Sequence, residues 1–395
     1  MALNPFVWEN AIDDGVSRQP FTERTARQLK AGTHLALFGP RGTGKTSFTL
    51  QLRAELAKNH EADAPAWDLI RIDLRRVISL PAFVGAVNDA WQTHPSNNIR
   101  RRAKAALKAY EKEIGINLGV VKAGLRSRGK SAIDVAEILH GQLRALAQIS
   151  DKLVIVFDEF QRLNRCPGEP LSIIRSACLA PELQGRLSLL ITGSLRERVE
   201  MMLHADTEPI WDQTHDLSLP ALDAAQFLAF LEHNFEATKK PISARAAELI
   251  LDLADGHPKR TQHLAWQVWE MADKDEIQPA DVHDAFELLL SSTSHCTNFA
   301  GVIDSMLDGE QSDVNNARAL FLISGGESPG SRSAPPAYGL SGPAVARRAL
   351  ERLKERGVIS GHGTQWRVVD PFFAEWLRRQ DPLAVLSTVE PGGTT

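Results

Sequence analysis

The sequence predicts an α/β fold in which a parallel sheet is followed by a helical region and then by helices with one hairpin. Short apolar runs alternate with segments of helical periodicity through the first 220 residues, which is the pattern of a parallel sheet covered by helices. The periodicity is helical alone from about residue 221, and short alternating segments return near residue 360. We therefore expect domains at 1–220, 221–297 and 298–382, and a flexible tail at 383–395.

Five short segments of the first domain, some apolar throughout and some alternating, are predicted strands. They are residues 34–38, 67–74, 153–157, 187–191 and 215–219. The segment 153–157 is apolar at every position, as strands buried on both faces of a parallel sheet are. Helices are expected at 45–57 and about 80–92. Residues 95–131 are interpreted as a basic insertion, in which the stretch 114–121 alternates and would form a small strand pair.

The rest of the chain predicts a helical domain followed by a winged helix-turn-helix. Helices are expected at 224–234, 243–254, 258–272, 279–289, 313–323, 341–356 and 371–379. Gly256, His257 and Pro258 separate two of them, because glycine and proline break helices. The segments 358–363 and 365–369 predict a hairpin with a glycine-rich tip, and helices followed by such a hairpin are typical of a winged helix.

Composition excludes several classes of protein. Lys and Arg number 45 and Asp and Glu 49, so the net charge of −4 excludes a uniformly basic nucleic-acid coat, though not a local basic surface. Cys166, Cys178 and Cys296 show no metal-ligand spacing and are typical of reduced, structural thiols. The chain shows no signal peptide and no apolar run long enough to span a bilayer, so we expect a cytoplasmic protein.

The segment after the first predicted strand matches the pattern G-x-x-x-x-G-K-[ST] in full. It consists of Gly39, Pro40, Arg41, Gly42, Thr43, Gly44, Lys45 and Thr46, and Ser47 follows. The glycines let successive backbone N–H groups point at phosphate oxygens, and the next helix presents its positive N-terminal end. Lys45 would reach the β and γ phosphates, and the Thr46 hydroxyl would bind Mg²⁺. These nine residues are therefore a candidate site for Mg·ATP.

Two carboxylates follow the third predicted strand. Asp158 and Glu159 stand at the carboxyl end of 153–157, where parallel sheets bind nucleotides. Asp158 would hold Mg²⁺, directly or through water, together with Thr46, and Glu159 would orient and deprotonate the attacking water. A carboxylate at this place also suits a helix N-cap, but the upstream phosphate loop favours the nucleotide interpretation. Because both carboxylates are present, we expect ATP hydrolysis, with Glu159 and Lys45 as catalytic residues.

Further contacts to the phosphates stay open. Thr192 and Ser194 end the fourth predicted strand, where they would sense the γ-phosphate or only form a turn. His257, with Pro258 and Arg260, would reach a phosphate or only start a helix. The candidates for an arginine finger are Arg175, Arg186, Arg196 and Arg198, and the sequence does not choose among them.

Five segments occur in an order that resembles a known group of proteins. They are Gly39–Thr46, Ile155–Gln161, Thr192–Ser194, Gly256–Pro258 and Asp370–Leu377. The chain resembles the prokaryotic STAND/AAA+ ATPases of the archaeal-ATPase group, which are related to origin-recognition ATPases. The resemblance implies an ASCE-type P-loop sheet, a helical lid whose nucleotide contact is Gly256–Pro258, and a C-terminal winged helix.

The preference for adenine is implied by the same resemblance. The opening Asn4–Phe6, with Phe21 and Arg24, is similar to the group's N-terminal box beside the adenine. That box usually has the pattern Phe-x-Gly-Arg-Glu, whereas this chain has Phe-Thr-Glu-Arg-Thr at 21–25.

Two functional hypotheses follow. In the first, a DNA-associated ATPase changes conformation or assembly, and Arg347, Arg348 and Arg352 on the predicted helix 341–356 contact double-stranded DNA. The basic insertion supports this hypothesis but also suits a solvated segment. In the second, a STAND-type switch uses ATP to control homo-oligomerisation or a protein partner without DNA. ATP binding for structural stability alone is opposed by Glu159.

Overall fold

The computed structural model describes most of the chain and divides it into two compact units. The described residues are 3–11, 15–58, 67–114, 132–194, 199, 202, 214–272, 276–291 and 298–386. We call Ser17–Gly39 with Lys45–Pro220 the sheet unit. We call Met1–Val16, Pro40–Gly44 and Ala221–Thr395 the helical unit. None of the described helices combines the length and hydropathy that a membrane span requires.

The described residues of the sheet unit form five parallel strands, all of which the sequence predicted. They are β1 (His34–Phe38), β2 (Asp68–Asp73), β3 (Leu153–Asp158), β4 (Leu187–Gly193) and β5 (Thr214–Ser218). Their order in the sheet is β2-β3-β4-β1-β5, so β4 lies between the strand that precedes the phosphate loop and the strand that ends in Asp158. This is the ASCE-type arrangement that we expected. The carboxyl ends of β1, β3 and β4 meet at one edge because neighbouring strands run parallel.

Helices cover both faces of the sheet. They are α1 (Gln19–Lys30), α2 (Lys45–Ala57), α3 (Leu80–Gln92), α4 (Asn97–Ile114), α5 (Ala132–Ala147) and α6 (Pro170–Cys178). Side chains alternate along each strand, so Leu35 and Leu37 pack on one face with α1 and α2. Ala36 and Phe38 pack on the other face with α3 to α6. This two-sided burial explains why β3 is apolar throughout.

The predicted basic insertion is helical in its described part. Residues 97–114 form α4, and the buried Ala103 and Leu107 join the core of the sheet unit. The apolar positions recur at helical spacing, which our interpretation as an insertion overlooked. The expected strand pair at 114–121 falls almost entirely on residues outside the described part of the chain.

In the part of the helical unit that the structure describes, helices are accompanied by one antiparallel hairpin. The helices are α7 (Ala224–Ala237), α8 (Ala244–Leu253), α9 (Pro258–Met271), α10 (Pro279–Ser291), α11 (Phe299–Leu307), α12 (Gln311–Ser324), α13 (Ala334–Ala337), α14 (Pro343–Glu355), α15 (Pro371–Arg379) and α16 (Pro382–Leu386). The hairpin pairs β6 (Ile359–His362) with β7 (Gln365–Val368), as predicted. Gly361 has a φ of +120°, and a Cβ there would lie 1.8 Å from the Gln365 carbonyl oxygen, so the hairpin requires glycine.

One hydrophobic core runs through the helical unit. It joins Phe6, helices of the predicted lid such as α9, and elements of the predicted winged helix such as α14 and α15. Phe6 is buried against Phe230 and Phe235. The predicted boundary between 297 and 298 therefore crosses a continuous core, and the three-domain division stays a prediction.

Candidate active site

The carboxylate of Asp158 is the centre of a polar cluster at the end of β3. The residue is only 2% exposed. Its Oδ1 accepts a hydrogen bond from Thr192 Oγ1 at 2.5 Å. Its Oδ2 accepts one from Thr46 Oγ1 at 3.3 Å and one from Arg71 Nη1 at 2.7 Å. The structure thus brings the two predicted Mg²⁺ ligands, Thr46 and Asp158, together and places Thr192 beside them.

These oxygen atoms fit a magnesium ion. Mg²⁺ prefers oxygen ligands and is usually held by one or two protein groups together with substrate phosphates. The Thr46 hydroxyl and the Asp158 carboxylate supply two such groups within hydrogen-bond distance of each other. Arg71 is an additional cation at the same carboxylate oxygen, which the sequence did not predict.

Glu159 leaves the strand in an unusual backbone conformation. Its φ and ψ are 61° and 44°, the left-handed region that costs an ordinary residue about 1–2 kcal/mol. The carboxylate accepts hydrogen bonds from Gln161 Nε2 at 2.6 Å and from Ser194 Oγ at 3.3 Å. Gln161 Nε2 also donates to Ser194 Oγ at 2.9 Å. The turn and the two polar partners therefore fix the position of the Glu159 carboxylate beside Asp158.

Lys45 begins α2 and is buried. Its side chain is one of the few charged groups with an exposure as low as 6%, and Nζ donates to the Gly39 carbonyl oxygen at 2.7 Å. Gly39, Lys45, Thr46 and Ser47 belong to the sheet unit.

The loop residues Pro40–Gly44 contact the beginning of α9 within the helical unit. His257 Nε2 lies 3.0 Å from the Arg41 carbonyl oxygen, and the Lys259 N–H donates to the Gly42 carbonyl oxygen at 3.2 Å. Gly42 has a φ of +77°, and a Cβ there would lie 2.4 Å from His257 Cε1. The structure therefore places the predicted lid residue His257, with Pro258 beside it, at the phosphate loop.

The hydrogen bonds of His257 define its protonation. Nδ1 accepts from the Arg260 N–H at 3.3 Å, which caps α9, so Nε2 carries the proton and donates to the Arg41 carbonyl oxygen. Burial lowers the pKa of His257, and the bond to Arg41 opposes this effect only in part. His257 is therefore neutral near pH 7.

The sequence left open whether Arg260 contacts a phosphate, and in the structure its partner is Asp370. Its guanidinium is buried and donates to both carboxylate oxygens of Asp370, with Nε at 2.9 and 3.0 Å from them. Asp370 also caps α15 by accepting from the Phe372 N–H at 3.1 Å. Arg260 thus links α9 to α15 in the helical unit.

The remaining arginine candidates are only partly described. Arg186 forms an ion pair with Asp151, and Arg175 lies in the last turn of α6. Arg196 and Arg198 lie outside the described residues.

The predicted DNA-contacting arginines differ in their surroundings. Arg347 and Arg348 are exposed on α14. Arg352 is half-buried, and its guanidinium donates to Asn316 Oδ1 at 3.1 Å and to the Ser312 carbonyl oxygen at 3.2 Å. Arg352 therefore joins α14 to α12 and is less available to a partner than the other two.

Three polar residues of the cluster were missed from the sequence. Gln161 follows the carboxylates by two positions, a spacing that suits a local hydrogen bond to Glu159. Arg71 and Asp73 carry no local signal, because only the pairing of β2 with β3 sets Arg71 opposite Val156 and Asp73 opposite Asp158.

The comparisons with known proteins identify the fold. No family model and no curated protein matches the sequence. A Walker-type ATPase of Pyrococcus abyssi is similar in structure, with a TM-score of 0.63, 17% identity, and coverage of 93% of this chain and 97% of that chain. The ORC2 protein of Aeropyrum pernix, in its ADPNP–ADP complexes, gives a TM-score of 0.60 at 17% identity over 96% of each chain. The resemblance to archaeal and origin-recognition P-loop ATPases is thus confirmed at the level of the fold.

Proposed function

We propose that the protein binds Mg·ATP and hydrolyses it to ADP and phosphate, and that this cycle drives a change of conformation or assembly. The observation that carries the proposal is the meeting of Thr46, the last loop residue, with Asp158 and its neighbour Glu159 at one sheet edge. A strand order that brings these groups together from distant parts of the chain supports a catalytic use.

Thr46 and Asp158 would hold the metal ion. Mg²⁺ bound there would neutralise charge on the phosphates. The backbone N–H groups of the loop would bind the phosphate oxygens, and Lys45 would exchange the Gly39 carbonyl for the β and γ phosphates. The nucleotide complexes of the ORC2 protein support an adenine nucleotide as the ligand.

Glu159 would act on the attacking water. The carboxylate would accept a proton from the water while the water oxygen attacks the γ-phosphorus. The bond between the γ-phosphorus and the β-γ bridging oxygen then breaks, and ADP leaves. Gln161 and Ser194 hold Glu159 Oε2, so they would orient the base. Thr192, which donates to Asp158, would orient the metal ligand.

The helical unit would respond to the state of the loop. The contacts of His257 and Lys259 to loop carbonyl oxygens offer a direct route from the phosphate loop to α9. From α9 the Arg260–Asp370 pair and the shared core extend to α15 and α14. This continuity favours the second candidate function, a STAND-type switch in which ATP controls oligomerisation or a protein partner.

Association with double-stranded DNA is the output that we propose first. Arg347 and Arg348 are exposed on α14, which precedes the β6–β7 hairpin in the order of a winged helix. Such a helix reads the major groove while basic side chains contact phosphates. The internal bonds of Arg352 leave this role mainly to the other two arginines.

ATP turnover with and without duplex DNA separates the two outputs. Turnover that DNA stimulates, and that moderate salt weakens, supports the DNA-associated ATPase. Turnover indifferent to DNA supports the switch, and ATP-dependent oligomerisation is then expected. An Arg347→Gln, Arg348→Gln variant should lose the DNA response and keep basal turnover, whereas Arg332→Gln, which removes one exposed positive charge elsewhere in the helical unit, serves as a control.

A further inference from the structure

Arg71 occupies an unexpected place beside the candidate metal ligand. It lies on β2, and the alternation of the strand points it to the same face of the sheet as Leu69, Val156 and Asp158. Its Nη1 is 2.7 Å from Asp158 Oδ2, the oxygen that Thr46 also reaches. The Arg71 side chain is 28% exposed, whereas that of Asp158 is 3% exposed, so the cation enters the cluster from a more open side.

The hydrogen-bond capacity of Asp158 is limited. Each carboxylate oxygen offers about two lone-pair sites. Oδ2 uses them for Thr46 and Arg71, and Oδ1 accepts from Thr192. A metal ion that binds Asp158 directly at Oδ2 must therefore displace Arg71 or Thr46, and Thr46 is itself a metal ligand in the proposed function.

A second carboxylate lies within reach of Arg71. Asp73 Oδ2 is 3.8 Å from Arg71 Nη1, and Asp73 stands opposite Asp158 in the pairing of β2 with β3. Burial raises the pKa of Asp73, but hydrogen bonds from Arg75 outweigh this effect and lower the pKa below its ordinary value. Asp73 is thus an anion near neutral pH. Arg75 Nε already donates to the two oxygens of Asp73, at 3.0 and 2.9 Å. A guanidinium released by Asp158 can therefore remain paired by a small rotation towards Asp73, where it would share the carboxylate with Arg75.

We propose that Arg71 competes with Mg²⁺ for Asp158 and moves to Asp73 when the metal ion binds with nucleotide. Arg71 is then a residue that sets the Mg²⁺ concentration at which the site is loaded. The inference rests on the proposed function, because it assumes that Asp158 is a metal ligand.

Electrostatics gives the sign of each effect. A unit positive charge a few ångströms from a divalent ion opposes its binding, so loss of the Arg71 charge strengthens the Mg²⁺ site. Loss of the Asp73 charge removes the second position of Arg71 and keeps the guanidinium on Asp158, which weakens the Mg²⁺ site. The part of the Asp73 effect that acts through Arg71 should be lost once Arg71 is replaced, which leaves only the direct effect of the Asp73 charge on the ion.

Binding of a fluorescent ATP analogue, titrated with Mg²⁺, tests this competition without relying on turnover. The Arg71→Gln variant should reach half-maximal Mg²⁺-dependent binding at about tenfold lower Mg²⁺ than the wild type. Asp73→Asn should raise that concentration about threefold, and the double variant should behave like Arg71→Gln within about twofold. Arg76→Gln, the same charge change at an exposed position nearby, should leave it unchanged.

The Mg²⁺ midpoints of the variants support or overturn the competition between Arg71 and Mg²⁺. An Arg71→Gln midpoint at or above that of the wild type overturns the competition, as does an Asp73→Asn effect that is as large in the double variant as in the single variant. Circular dichroism establishes that the variants are folded. If Arg71→Gln does not fold, an Asp73→Asn midpoint unchanged from the wild type overturns the proposal by itself. A wild-type protein that binds no nucleotide at any Mg²⁺ concentration refutes the proposed function as well, and this result is distinct from the others.

Discussion

Two aspartate–arginine pairs serve different purposes in the two units. Asp158 and Arg71 meet at the end of β3, where the same carboxylate also binds Thr46 and Thr192 and the guanidinium stays partly exposed. Asp370 and Arg260 form a two-oxygen pair in the helical unit, and the Arg260 guanidinium lies 5.0 Å from the Phe372 ring centroid and is 4% exposed.

The comparison shows that surroundings rather than residue type decide what an ion pair does. In our proposal, the hydroxyl groups and the phosphate loop around Asp158 would make its arginine replaceable by a metal ion. Aromatic rings and a helix cap around Asp370 make its arginine a fixed structural link. Substitutions in the two pairs should therefore have different effects. Those in the Asp158–Arg71 pair should change nucleotide binding, and those in the Asp370–Arg260 pair should change folding stability.

The largest effect is expected from the loop lysine. Lys45→Ala should weaken binding of Mg·ATP by about 100-fold or more, because a buried charge that faces the phosphates is lost. Isothermal titration calorimetry with a non-hydrolysable ATP analogue measures this. Lys58→Ala, just beyond the same helix, is the matched control and should bind as the wild type does. If Lys45→Ala and Lys58→Ala bound the ATP analogue with equal affinity, Lys45 would not be part of the binding site.

Substitution in the Asp370–Arg260 pair should lower the free energy of unfolding. Asp370→Ala leaves the buried Arg260 charge uncompensated and removes a helix cap, so we expect a loss of about 3 kcal/mol in the free energy of unfolding. Urea denaturation measures the loss. Asp158→Asn should cost clearly less stability while abolishing the Mg²⁺ dependence of nucleotide binding. A larger stability loss for Asp158→Asn than for Asp370→Ala would reverse the comparison.

The folding stability is expected to depend on pH through His263, which lies beside the Asp370–Arg260 pair. Burial, with the charges of Arg260 and Lys259, lowers the pKa of His263 to about 3. An unfolded histidine has a pKa of about 6.5, so below that pH the unfolded state binds a proton that the folded state does not. Stability from this group is complete above pH 6.5 and is lost as the pH falls towards 3.

The loss attributable to His263 is about 2 kcal/mol between pH 7 and pH 5. Replacement by Phe retains a ring between Trp8 and Phe372, on which His263 stacks. Urea denaturation at both pH values should therefore show a smaller pH dependence for His263→Phe than for the wild type. The same pH dependence in both proteins would contradict this account of His263.

The smallest effect concerns the glycine of the loop. Gly42→Ala should cost about 1 kcal/mol, because its positive φ disfavours a side chain, and the new Cβ would also crowd His257. A His257→Ala substitution should relieve part of that cost in the double variant, whereas Gly185→Ala, at a similar positive φ in open space, gives the cost of the backbone alone. Thermal unfolding of Gly42→Ala, His257→Ala, the double variant, Gly185→Ala and the wild type provides the comparison. Additive losses would show that the loop does not press on His257.

Sequence reasoning succeeded where the signal is local. The loop from Gly39 to Thr46 and the carboxylates after β3 are contiguous, and the five strands are short segments that are apolar or alternate. The sequence did not predict the place of Arg71, because it depends on the register between β2 and β3. It did not predict the Arg260–Asp370 pair, because these residues are 110 positions apart. The helix α4 was missed for another reason, since its many cations masked the apolar spacing of Ala103 and Leu107.

The central claim is that Glu159, held by Gln161 and Ser194, is the base of an Mg·ATP hydrolysis site. Parallel measurement of nucleotide binding and ATP turnover in the wild type and in Glu159→Gln tests it most directly. We expect the variant to bind the nucleotide as tightly as the wild type and to turn it over at least about 100-fold more slowly. Turnover by Glu159→Gln at the wild-type rate would contradict the account.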